Sequence, residues 1–135
     1  MPKFSKRSLD NLATCHPILQ ELAHEVIKDF DFTVIEGHRN KTSQMQAFAS
    51  KTSKLKWPRS KHNQWPSQAF DAIPYPFPGW KGTQSQAAFE AQAEAILAAW
   101  EALGDKTEGW KLTSAHVSWG WDSPHFQIEA VDKKS

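Results

Sequence analysis

A chain of 135 residues with 39% hydrophobic and 23% charged residues is long enough to bury a core without crosslinks and too apolar for wholesale disorder. Its lone cysteine, Cys15, excludes an internal disulfide and is read as apolar filler, so folding does not require an oxidising compartment. The net charge of +1 hides an asymmetry: residues 37–70 hold seven of the sixteen Lys and Arg and none of the fifteen acids, which leaves about −6 elsewhere.

The basic start, with Lys3, Lys6 and Arg7, is not followed by an apolar run, so neither a secretory signal nor a membrane span is expected. Residues 8–30 carry Leu9, Leu12, Leu19, Leu22, Val26, Ile27 and Phe30 at helical spacing. Proline is tolerated only in a helix's first turn, so Pro17 splits the stretch into a short leading helix and a main one starting near His16 or Pro17. His16 and His24 are read as helix-surface residues. Residues 31–37 form a strand candidate, with Phe32, Val34 and Ile35 ahead of Gly37. Asn40 or Thr42 can cap a second amphipathic helix through about residue 50, with Met45, Phe48 and Ala49 on its buried side. A basic loop, 51–59, closes on Trp57-Pro58.

The central stretch runs from a loop into a strand over about 68–73, where alternation sets Phe70 against Ala69 and Asp71. The prolines of 74–79 then forbid regular structure. Residues 83–103 predict a long helix with Thr83 and Gln86 as a capping box, an apolar face from Phe89 to Leu103, and Gly104 as its stop. Strands are expected over 109–113 and 126–130, and 132–135 as a frayed tail. The seven tryptophans are assigned mainly to the core, with surface stacking on sugars or bases as the alternative. This order of elements predicts one domain over 1–135, an α+β fold with a small, mostly antiparallel sheet flanked by helices.

Two separated stretches carry chemistry. His62 and Asp71 in the middle and His125 near the end are two imidazoles and a carboxylate, the ligand count of a zinc site with one position open for water. Asp122, three residues before His125, is a candidate base, and Arg39 a candidate clamp for a carbonyl or carboxylate. Six histidines permit other combinations, and a single histidine more commonly serves a hydrogen bond.

The run Ser60-x-His62-Asn63-x-x-Pro66-Ser67-x-Ala69-x-Asp71-x-x-Pro74-Tyr75-Pro76 resembles the signature of the zinc peptidases that include D-alanyl-D-alanine carboxypeptidases and phage L-alanyl-D-glutamate endopeptidases. Asp122-x-Pro124-His125-Phe126 is similar to that family's closing motif, and Val34-Ile35-x-Gly37-x-Arg39-x-x-x-x-Gln44 to its arginine motif. The three matches keep the family's order, and the long His62-to-Asp71 spacing favours the phage branch. The resemblance implies the hedgehog/DD-peptidase fold, with Zn2+ on His62, Asp71 and His125. It further implies Asp122 as general base and acid, Arg39 as transition-state stabiliser, and Ser60 and Gln44 as supports of site or substrate, Gln44 by buttressing the arginine. His116 is either a cleft-lining residue or a plain strand-end histidine. Gln127 departs from the Glu of many relatives, and 118–122 is compressed, which bears on the rim of the cleft.

The function expected from this resemblance is a phage-type endolysin cutting the L-Ala–D-Glu bond of peptidoglycan, working as a monomer released from the host cytoplasm without membrane insertion. Alternatives are a D,D- or L,D-carboxypeptidase, or a non-catalytic wall-binding module. The basic stretch suits an anionic wall polymer. Nucleic acid is not an expected partner, because the total charge is nearly balanced and no recognition motif accompanies that stretch.

Overall fold

The computed structural model describes residues 2–131. The expected tail at 132–135 lies outside the described residues. Helices α1 (Lys6–Leu12) and α2 (Pro17–Val26) split where Pro17 requires, with the His16 ring accepting from the Ile18 N–H at the start of α2. Strand β1 (Phe32–Glu36) follows, then α3 (Lys41–Ala49), capped by the Asn40 side chain on the Ser43 N–H. A 3₁₀ turn at Lys61–Asn63 leads into β2 (Ala69–Pro74), and α4 (Thr83–Leu103) ends at Gly104, whose φ of 58° suits a residue without a Cβ. Strand β3 (Trp110–Ser114), a one-turn helix α5 (Ala115–Ser118) and β4 (His125–Ala130) complete the described chain.

The four strands form one antiparallel sheet in the order β1-β2-β4-β3. Because side chains alternate along a strand, the register decides what lies on each face. Phe70 pairs with Phe126, and these two join Ala72, Ile128, Phe32 and Val34 in the core under the helices. Leu12, Leu19, Leu22 and Val26 reach that core from α1 and α2, and Ala93, Ile96 and Trp100 from α4. The opposite face is left for chemistry: Asp71 pairs directly with His125, and Ala69 with Gln127. Paired residues have Cβ atoms about 5 Å apart, so the register alone brings two of the three expected ligands within reach of one ion.

Several local expectations are corrected. Leu9, Met45 and Ala49 are exposed; the buried residue of α3 is Gln44, drawn inward by polar partners that no hydrophobic pattern encodes. The α4 capping box does not form, because the helix already begins at Thr83 and Gly82 occupies the cap position. Of the tryptophans only Trp100 is buried in the core, while Trp65, Trp80, Trp119 and Trp121 are all more than 40% exposed. The aromatic excess serves the surface. His116 is not at a strand end but in α5.

Candidate metal centre and active site

Three segments meet on the open face of the sheet. The 3₁₀ turn presents His62, and its geometry comes from Ser60, whose hydroxyl accepts from the His62 N–H at 3.1 Å while the Asn63 side chain accepts from the Ser60 N–H at 3.0 Å. Ser60 is 5% exposed and is used in holding this turn. His62 Nε2 then lies 3.1 Å from Asp71 Oδ1 and 3.2 Å from His125 Nδ1, and the latter is 3.2 Å from Asp71 Oδ1.

Outer partners decide which ring nitrogens are free. His62 Nδ1 is 2.8 Å from the Gly37 carbonyl, which can only accept, so the proton sits on Nδ1 and the Nε2 lone pair faces the cluster. Gln127 donates through Nε2 to Glu129, which turns its Oε1 toward His125 Nε2 at 2.8 Å. His125 therefore holds its proton on Nε2 and aims the Nδ1 lone pair at the same point. In these tautomers two imidazole lone pairs and a carboxylate oxygen converge on one point, an arrangement that favours a cation between them; without one, a proton on His125 Nδ1 can bridge to Asp71 Oδ1. A tetrahedral ion with ligands at about 2.0 Å sets those ligand atoms about 3.3 Å apart, close to the separations found. The donor set fits a divalent metal, and among the described residues it is the group of metal-ligating side chains that lies close enough together.

Charge follows from this packing. Burial by itself would raise the Asp71 carboxyl, but the two adjacent imidazoles hold it well below the usual carboxylate range. His125 is raised: burial acts to lower it, and the hydrogen bond and charge of Asp71 outweigh that. The Asp122 carboxyl is raised, first by burial and then by the negative charge of Asp71. Asp122 has φ 57°, a left-handed conformation that Asp tolerates better than most side chains, on the turn that leads into β4.

Arg39 is largely but not fully buried, its side chain 11% exposed, and is fixed on three sides. Its Nη2 lies 2.6 Å from Glu36 Oε1, its Nη1 donates to Gln44 Oε1 at 2.9 Å, and Nη2 is 3.8 Å from Asp71 Oδ2. Gln44 is fully buried and donates onward to Ser53 Oγ and the Leu55 carbonyl, so its amide is engaged around the arginine. Asn63 donates to the Arg39 carbonyl and to Gln44, tying the arginine loop to the histidine turn. His116 stands apart, with Nδ1 at 2.9 Å from Ser123 Oγ and Nε2 at 2.8 Å from Glu90 Oε1, joining α4 to the turn that carries Asp122.

Two cavities, of about 850 and 540 Å3, meet at the centre: Arg39, Asp71 and Asp122 line both, and His62 and His125 line the smaller. The larger includes Glu36, Trp80, Phe89, Glu90 and His116; the smaller includes Lys54, Arg59, Lys61, Trp119 and Trp121. Trp119 stacks on the His125 ring at 5.4 Å and 24°. Glu36, Asn63 and Gln127 were assigned no role from the sequence. Gln127 carried a signal, as a polar residue two positions beyond a ligand and hence on the same strand face, and so did Glu36, an acid three residues before Arg39.

Residues 1–128 match the family described as phage L-alanyl-D-glutamate peptidase. The chain belongs to that family. A stretch of 75 residues is 39% identical to the L-alanyl-D-glutamate peptidase of Escherichia phage T5, covering 54% of this chain and 54% of that protein, so the chain spans about half the length of the curated relative it matches. The crystal structure of the Serratia marcescens L-Ala D-Glu endopeptidase ChiX superposes with a TM-score of 0.73, over 96% of this chain and 90% of that one. At 22% identity that likeness speaks for the fold.

Proposed function

We propose that this member of the phage L-alanyl-D-glutamate peptidase family is a zinc-dependent endopeptidase that hydrolyses the L-alanyl-D-glutamate bond of peptidoglycan stem peptides, as an endolysin does. The observation that carries this reading is the convergence of His62 Nε2, Asp71 Oδ1 and His125 Nδ1, 3.1–3.2 Å apart, where two cavities meet and beside Asp122 and Arg39. Two imidazoles and one carboxylate suit zinc, whereas calcium and magnesium prefer oxygen-rich sites.

When bound, such an ion acidifies water and polarises the scissile carbonyl. Asp122 takes the proton of the attacking water and returns it to the departing amine; its raised pKa strengthens it as a base. Arg39, held by Glu36 and Gln44, supplies fixed N–H donors and positive charge for the developing oxyanion, with no side-chain reorganisation required at the moment of reaction. Ser60, Gly37 and Gln127 hold the two imidazoles in their required tautomers or positions. His116 lines the larger cavity, where it can contact substrate. The same reading makes peptidoglycan the partner of a monomer that acts on the wall after release from the host cytoplasm. No helix among the described residues is long and apolar enough to cross a membrane.

The test is mass spectrometry of fragments released from purified crosslinked peptidoglycan by the zinc-loaded chain. New amino termini on D-Glu, abolished by a chelator and restored by zinc, are the expected result. Release of terminal D-Ala alone would replace the proposal by a carboxypeptidase, and release of nothing by a non-catalytic wall-binding module.

A further inference from the structure

The two cavities differ in charge, and this difference gives the cleft a direction. Around the smaller one stand Lys54, Arg59 and Lys61, with Trp119 and Trp121 as its aromatic wall. Lys54 Nζ lies 4.4 Å from the centre of the Trp121 ring, so its charge is held over that wall. Among the described residues, the one carboxylate lining this side away from the centre, Glu129, is already engaged: it accepts from Gln127 at 3.1 Å and lies 3.7 Å from Lys111 Nζ. On the larger side the position is reversed. Glu36 and Glu90 line it, and its cation, Arg39, is tied to Glu36. The acid-free stretch 37–70 supplies these three cations and also Arg39, which lines both cavities.

An L-alanyl-D-glutamate bond is itself polar in the same sense. The glutamate side, which leaves as the amine, carries carboxylate; the alanyl side carries none at the equivalent position. Resting on the cleavage proposed above, we infer that the cavity of Lys54, Arg59, Lys61, Trp119 and Trp121 is the carboxylate subsite for the amine-side half of the substrate, and that it sets the direction in which the peptide crosses the centre. Lys54 and Arg59 act as specificity residues, because exposed cations select a charge without holding the metal. The larger cavity, with Trp80 over Phe89 at 5.9 Å, receives the uncharged acyl side.

The experiment measures binding of the amine-side product, which undergoes no further reaction, to the zinc-loaded full chain by calorimetry. The probes are γ-D-glutamyl-glycine, its α-carboxamide and glycerol 1-phosphate. The wild type is expected to bind the acid at least about tenfold more tightly than the amide, with a preference that shrinks as salt rises. Lys54→Gln/Arg59→Gln should lose most of that preference by weakening only the acid, with metal content unchanged, and Glu90→Gln should retain it. Equal affinity of the wild type for acid and amide, equal weakening of both in the double variant, or loss of the preference in Glu90→Gln would overturn the assignment. Binding of glycerol 1-phosphate more tightly than the acid would also overturn it, since the cations would then serve wall phosphate. Because binding is read without turnover, failure here is separate from failure to cleave wall, which bears on the proposed function alone.

Discussion

Replacement of Gln127 by Leu removes the acceptor of the His125 Nε2 proton while keeping most of the side-chain volume. That hydrogen bond is 2.8 Å long between residues only 6% and 9% exposed at the wall of the smaller cavity. A buried donor left without a partner costs about 1–3 kcal/mol, and loss of an outer partner of a metal-bound histidine typically lowers affinity about 10- to 100-fold, or about 1.4–2.8 kcal/mol. In the metal-free chain the imidazole can move its proton to Nδ1 and donate to Asp71 Oδ1 at 3.2 Å, so much of the penalty should arise only when metal binds. Zinc competition against a chromophoric chelator is therefore expected to show a 10- to 100-fold loss for Gln127→Leu, with a much smaller change in the thermal midpoint of the metal-free chain. Gln127→Glu, which restores an acceptor, should bind at least as tightly as the wild type. An affinity for Gln127→Leu within twofold of the wild type would refute the role given to this contact.

Three further outcomes test other parts of the structure. Asp122→Asn should keep metal and fold yet lose about 10²- to 10⁴-fold in kcat, the range of general acid–base catalysis; a variant that stays active shows that another group moves the proton. Gly37→Ala should lower both stability and metal affinity, read by thermal unfolding and chelator competition. Its new Cβ would run into Thr14 Oγ1 and the Asn11 carbonyl and displace the carbonyl that orients His62; unchanged affinity would refute that link. Cys15, buried and with its thiol pushed up to about 12, should be alkylated by iodoacetamide at pH 8 about 10³-fold more slowly in the native chain than in denaturant. The sign of the accompanying stability effect follows from a raised folded pKa: stability is intact below about 9 and falls by about 1.4 kcal/mol per pH unit as pH climbs toward about 12. Prompt labelling of the native chain would place the sulfur at the surface.

Where a feature depends on residues close in sequence, the amino-acid order determined it. Pro17 splits the first helical stretch, Asn40 caps α3 and Gly104 stops α4, because cap, turn and helical periodicity each operate within a few residues. The motif residues also have the identities the proposed metal centre requires: His62, Asp71 and His125 as candidate ligands, with Asp122 and Arg39 beside them. What sequence left undecided is every relation across distance. His62 meets His125 across 63 positions, and Asp71 meets His125 because the β2–β4 register makes them partners; a slip of one residue would turn the pair to opposite faces. Gln44 is buried through partners on three other segments, at Arg39, at Ser53 and Leu55, and at Asn63. The exposed tryptophans were misassigned for the same reason, since an aromatic side chain reads alike whether it fills a core or walls a cleft. Tertiary packing decided which it was, because only there does each ring find either apolar neighbours on all sides or an open face.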